Sequence, residues 1–348
     1  MAYAPMTGSE YPNLVNVTKR MDPDGSIAKI AELLQQFNPV IEDVPLVEGN
    51  LPTGHRTTVR ADMPVPTWRL LNYGVKPTKS KTAQVDDTIG MLEAYSEVDK
   101  DLAMLNGNTA EWRMSEDVPH LQSMSDVMAE TLFYGDTATD PEKFLGLTPR
   151  YATLGTPANK PDAELASSAL ANVMSAGGST ADVQSSIWYI VWGENSVHGI
   201  YPKGSSTGLQ SRDLGEQTLF DDDGGRFQGY RSHYQWKMGL CVRDWRYIVR
   251  VANVEVGLLA DPVTNADALK LIYMAMIKAR YAVPQINNYG RGVYYCSPAV
   301  QAILDIVAVE KSNASLGYQN VYGQDVLTFR GTPVKGCSAI LETEAVVS

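Results

Sequence analysis

The chain has 348 residues, of which 44% are hydrophobic and 20% charged, and a formal net charge of −11. That length is about two domains' worth, and that composition excludes a disordered chain. The acidic balance argues against a generally basic grip on nucleic acid.

In chain order, a polar, irregular start leads to a short helix expected from about Ser26 to Phe37. Asp24 or Ser26 can cap it, Ile27, Ile30, Leu33, Leu34 and Phe37 form one apolar face, and Pro39 follows its end. Pro52, Pro64, Pro66 and Pro77 forbid a helix in the next stretch. It reads as two extended runs, His55 to Ala61 and Pro66 to Asn72, joined by a turn at Asp62-Met63-Pro64-Val65. Residues 84–102 alternate weakly and read as extended. From about Asn108 to Tyr134, Met114, Val118, Leu121, Met124, Met128 and Leu132 recur three or four apart, which predicts a long helix kinked or restarted near Pro119. A short helix is expected over Ala163 to Met174, then a buried strand over Ile187 to Trp192, which Val197 to Tyr201 continues. Gln217 to Phe220, Phe227 to Met238 and Leu240 to Val254 read as an antiparallel meander with a turn at Asp223-Gly224-Gly225. Asn265 is expected to cap a helix to about Arg280, Val293 to Tyr295 is a short strand, and Ser297-Pro298 starts another helix. Val326 to Phe329 and Pro333 to Leu341 are strands about a turn at Gly331.

Charge is uneven along this path. Between Pro52 and Val85, Arg56, Arg60, Arg69, Lys76, Lys79 and Lys81 stand against Asp62 alone, a local charge of +5. Asp86, Asp87, Glu93, Glu97, Asp99 and Asp101 follow at once with only Lys100 among them. A two-stranded ribbon is marginally stable alone. It either packs on its own domain as a surface hairpin or lies as an arm on a neighbouring subunit, its cations facing acidic surface there.

No constellation with catalytic spacing is present. There is no Gly-rich phosphate loop, no H-E-x-x-H and no G-x-S-x-G. His55, His120, His198 and His233 are dozens of residues apart, and no metal site is expected, although His198 and His233 could meet in space. The Asp221-Asp222-Asp223-Gly224-Gly225 run fails as a calcium loop, because its twelfth position is Ser232. Cys241, Cys296 and Cys337 make no C-x-x-C pair, so neither a disulfide framework nor a zinc knuckle is indicated, and assembly in a reducing bacterial cytoplasm is expected. No run approaches the roughly 18 apolar residues of a membrane span, and the N-terminus shows no secretory signal, so no membrane partner is expected. A carboxylate-dependent hydrolase stays open as an alternative, since carboxylate separation cannot be read from sequence.

Four runs carry a specific resemblance: GNLPTGHRTTVRADMPVPTWRLLNYGV (Gly49 to Val75), AQVDDTIGMLEAYSEVDKDLAMLNGN (Ala83 to Asn108), MAETLFYGD (Met128 to Asp136) and VRDWRYIVRVAN (Val242 to Asn253). They resemble major capsid proteins of tailed, notably short-tailed, bacteriophages, and LTFRGTPV (Leu327 to Val334) resembles the C-terminal turn of the Hong Kong 97-type fold. The resemblance implies an α+β capsid fold without enzymatic activity or cofactor. It implies an N-terminal arm (1–51), an extended β-hairpin loop (52–85) and a peripheral domain (86–149 and 215–256) with a spine helix at about 108–134. An axial domain (150–214 and 257–325) and returning C-terminal strands (326–348) complete it. The implied function is an icosahedral phage head of hexamers and pentamers around double-stranded DNA, held without sequence specificity. The implied partners are further copies of the chain, a separate scaffolding protein, a portal complex and a cement or decoration protein. An encapsulin-like compartment is the alternative within the same fold. Under this reading Arg56, Arg60, Trp68, Arg69, Lys76, Asp86, Asp87 and Glu93 are the expected intersubunit contacts.

Overall fold

The computed structural model describes Pro12 and residues 38–105, 109–155, 171–221, 224–259, 265–284, 290–309, 316–321 and 324–348. The helix expected over Ser26 to Phe37, the cap at Asn108 and residues 163–170 of the expected Ala163 to Met174 helix lie outside them. The strands are β1 (Leu46–Glu48), β2 (Gly54–Asp62), β3 (Lys81–Thr88), β4 (Gly90–Asp99), β5 (Val173–Ser175), β6 (Gln184–Trp192) and β7 (Val197–Tyr201). They continue with β8 (Leu209–Phe220), β9 (Arg226–Val242), β10 (Ile248–Glu255), β11 (Arg291–Cys296), β12 (Leu316–Val321), β13 (Gln324–Phe329) and β14 (Thr332–Gly336). The longer helices are α1 (Thr109–Tyr134), α2 (Ala266–Ala282) and α3 (Pro298–Val309). The chain divides into two compact units.

The smaller unit holds 91–128 and 208–237. Its β8 and β9 form a long antiparallel hairpin from Leu209↔Trp236 to Phe220↔Arg226, with a bulge between Asp213 and Gly215. Gly215 takes a φ of 71°, and its N–H is held by Asp213 Oδ1 at 2.8 Å. The apolar centre is small: Val98, Ala103 and Trp112, flanked by Leu102 and Tyr230. Ion pairs surround it, Lys100 to Glu216 at 2.8 Å, Arg113 to Asp213 at 2.6 Å, and Arg231 to Glu97. Pro119 lies within α1 without ending it.

The larger unit holds 37–90, 129–207 and 238–348. Every residue of β6 is buried, and it is paired antiparallel on one side with β10 and on the other with β11. A strand buried on both faces needs apolar residues at consecutive positions rather than alternate ones, and Ile187 to Trp192 supplies them. The parallel pair β11–β14 and the antiparallel pair β13–β14 extend the sheet. Helix α2 turns Leu269, Ile272, Met276 and Ala279 inward, and Tyr294 Oη donates to the Met276 carbonyl at 3.0 Å. Ser297 Oγ caps α3 by accepting from Val300 N–H.

One buried ion pair anchors the C-terminal segment. Arg250 donates to Glu344 at 2.8 Å, to Ser186 Oγ at 3.0 Å and to the Tyr151 carbonyl at 2.9 Å, with its guanidinium over Trp188. Glu344 also accepts from Tyr134 Oη and Ser186 Oγ, both at 2.5 Å. Asn253, at φ 59°, exchanges two hydrogen bonds with the Val347 backbone.

Five local expectations are corrected. Asn265 stands at the start of α2, but its side chain makes no capping hydrogen bond there. Val173–Ser175 is a strand, paired parallel with β10, so the described end of the expected Ala163 to Met174 helix is not helical. The meander breaks after β9, because β10 is buried on both faces and takes a central place beside β6 and β5. The chain is extended beyond β13 only to Gly336 rather than to Leu341. The ribbon pairs β2 with β3 rather than with Pro66 to Asn72.

Candidate intersubunit surface

The ribbon β2–β3 belongs to the larger unit and pairs in register from Gly54↔Thr88 to Arg60↔Thr82. Pro64 and Pro66 lack the N–H that a ladder needs, whereas Lys81 to Thr88 offers Thr82, Val85 and Thr88, which suit a strand. The connection between the strands, residues 63–80, is therefore irregular, with one turn in which Tyr73 N–H reaches the Leu70 carbonyl. Asn72 takes the left-handed conformation there, at φ 69°.

The root of the ribbon is fixed firmly. The Asn50 side chain exchanges two 2.7 Å hydrogen bonds with the Arg56 backbone. Gly49 N–H reaches the Tyr201 carbonyl of β7. A Cβ at Gly54 would stand 2.4 Å from the Asp87 carbonyl, so only glycine permits this close pairing. Arg150 donates to Asp87 Oδ1 at 2.7 Å, both groups largely buried.

The tip is the opposite. Every residue from Asp62 to Lys79 is exposed. Met63, Val65, Trp68, Leu70, Leu71, Tyr73 and Val75 all present apolar surface to solvent. A monomeric protein rarely leaves so much apolar surface contiguous and uncovered.

The expected contact residues divide into three groups. Arg60, Trp68, Arg69 and Lys76 are exposed on the ribbon, and the three cations have no ionic partner among the described residues. Arg56 and Asp86 are brought together across the ribbon as a bidentate pair at 2.6 and 2.7 Å, which holds the Asp86 carboxyl below its usual range and the Arg56 guanidinium above its own. Asp87 is taken by Arg150. In the smaller unit Glu93 accepts from Gln235 and lies 3.4 Å from His233, and the Gln235 contact keeps its carboxyl below the usual range. Sequence spacing missed the meeting of His55 with His198, whose rings stand edge to face at 6.0 Å with Cys241 beside them. Only the strand pairing brings them together.

The family described as major capsid protein GP7 matches residues 22–348. The chain belongs to that family. No curated protein sequence matches it. A chain in the near-atomic structure of bacteriophage Epsilon15 is 31% identical, with 99% of each chain covered and a TM-score of 0.75. The capsid of bacteriophage JBD30 is 8% identical, covering 88% of this chain and 93% of that one, at 0.48. The capsid of a native GTA particle is 11% identical, covering 67% and 95%, at 0.43. The fold is the α+β Hong Kong 97-type capsid fold, and the role is structural, as a phage major capsid protein of the virion.

Proposed function

We propose that the chain builds an icosahedral head of hexamers and pentamers enclosing double-stranded DNA, and that the ribbon is the arm that joins neighbouring copies. The observation that carries this reading is the exposed apolar tip at residues 63–75, set on a root locked to its own sheet. An arm so built keeps its direction while offering Trp68, Leu70 and Leu71 to another surface. Arg60, Arg69 and Lys76 then face acidic surface on the adjacent copy, and arginine suits this because its planar fork can pair with both oxygens of a carboxylate. The chain remains strongly acidic elsewhere.

The unit of 91–128 and 208–237 is proposed as the peripheral domain, and the β6-centred unit as carrying the axial domain and the arm. Assembly in the host cytoplasm, with a separate scaffolding protein, a portal complex and a cement protein as partners, belongs to the same proposal. So does packaged DNA held without sequence preference, since tight phosphate binding would oppose packaging and release.

The test is the triple variant Arg60→Glu, Trp68→Ala, Arg69→Glu. Electron microscopy is expected to show capsomer-sized or aberrant products from a soluble, folded subunit. Normal shells at normal yield would overturn the assignment.

A further inference from the structure

Two cross-strand pairs meet at the root of the arm. His55 faces Asp87 across β2–β3, and His198 faces Cys241 across β7–β9. One ligand atom each from His55, His198 and Cys241 fall within 4.8 Å of one another. His198 is 1% exposed, yet neither ring nitrogen makes a well-formed hydrogen bond. Asp87 is 4% exposed, and its Oδ2 likewise lacks one, while Oδ1 is held by Arg150. Buried polar atoms without partners are uncommon and cost stability. Here the His198 ring has only a poorly aligned contact with the Gly193 backbone, and the Asp87 carboxylate leans on the Cys241 thiol.

We propose that His55, His198 and Cys241 bind a soft divalent metal ion, zinc by preference, which ties the arm to the body of its own subunit.

Two imidazoles and a thiolate are the donor set that zinc favours over calcium or magnesium. Zinc–nitrogen bonds of about 2.0 Å and zinc–sulfur bonds of about 2.3 Å put tetrahedral ligands about 3.5 Å apart. With the ligand atoms within 4.8 Å of one another, the cluster needs to contract by no more than about 1.3 Å on loading. Burial favours the neutral form of His198, which is the form that ligates. The Cys241 thiol is held protonated mainly by burial and then by the adjacent Asp87, so ion binding must release that proton. Asn50 N–H donates to His55 Nδ1 at 3.2 Å. Ion binding displaces that bond, either by using Nδ1 itself or by moving the ring proton onto it. His55 thus ligates at the cost of that hydrogen bond. The ion would bridge β2 to β7 and β9, so the stiffness of the arm would depend on metal supply.

The experiment uses the purified full chain, stripped with a chelator and titrated with Co²⁺. One equivalent is expected to bind, with a thiolate-to-cobalt charge-transfer band that Zn²⁺ abolishes by displacement. The band should vanish in Cys241→Ser and persist in Cys337→Ser. His55→Gln, a half-buried position less critical to folding, should weaken Co²⁺ binding at least tenfold. Absence of the band in the wild-type chain, or a band and affinity unchanged in His55→Gln, would overturn the proposal even if Cys241→Ser fails to fold.

Discussion

Trp188 and Trp68 show how differently two parts of one chain use the same side chain. Trp188 is 0% exposed, its ring set among Tyr151, Phe133 and the Arg250 guanidinium. Trp68 is 104% exposed and stands on an irregular segment held by little beyond one turn. The first completes the core of its own subunit. The second contributes nothing there, and under the proposed function its apolar area is covered by an adjacent copy. A subunit core that closes without the ribbon tip leaves that tip free for the joining role proposed for it.

That contrast is sharpened most strongly by removing Glu344. Glu344→Ala strands the buried Arg250 guanidinium and frees Tyr134 and Ser186. The expected loss is about 3–5 kcal/mol of subunit stability, read by denaturant unfolding of the unassembled chain. Next comes Arg150→Ala, which strands Asp87 at the root of the arm. It is expected to cost about 3 kcal/mol by the same measurement, and to speed proteolysis within residues 63–80, because the root no longer holds the ribbon. Trp68→Ala should shift subunit unfolding by less than about 0.5 kcal/mol. Shell yield, counted by sedimentation, should nevertheless fall at least tenfold. A Trp68→Ala subunit that unfolds early but assembles normally would break the comparison outright.

Legibility in the sequence followed the same division. The β6 strand, the helix from Thr109 to Tyr134 and the helix start at Ser297-Pro298 were readable because period and helix-start chemistry are local. The basic stretch announced itself through charge and proline, but its partner strand did not. Pro66 to Asn72 and Lys81 to Thr88 both read as extended, and only the missing N–H groups of Pro64 and Pro66 argue between them. β10 was drawn into a meander by its nearness to β9, and Arg250 and Asn253 interrupt the apolar run that would have marked it for the centre of a sheet, where all seven residues from Ile248 to Val254 are buried. Of the expected contact residues, Arg60, Trp68, Arg69 and Lys76 are presented to solvent, while Asp87 and Glu93 have partners within the chain. Those pairings depend on strand register, which composition does not encode.

The smallest expected effect separates surface ion pairs from buried ones. In the smaller unit Asp213 accepts from Arg113 and from Gly215 N–H, and both hold its carboxyl below its ordinary value of 3.8. A carboxyl lowered on folding contributes stability that is fully present above that ordinary value and is lost as pH falls through the lower, folded one. Asp213 is more than half exposed, so solvent and salt reduce the pair to less than about 1 kcal/mol. Unfolding of the wild-type subunit compared with Asp213→Asn should show a small wild-type advantage at pH 6. That advantage should shrink steadily below pH 3.8 and also in 1 M salt. The Glu344→Ala loss should persist in the same salt, since Arg250 is shielded from it by burial. Equal salt sensitivity in the two variants would show that the buried pair is no better protected than the surface one, and would remove the basis for treating the larger unit as a closed core.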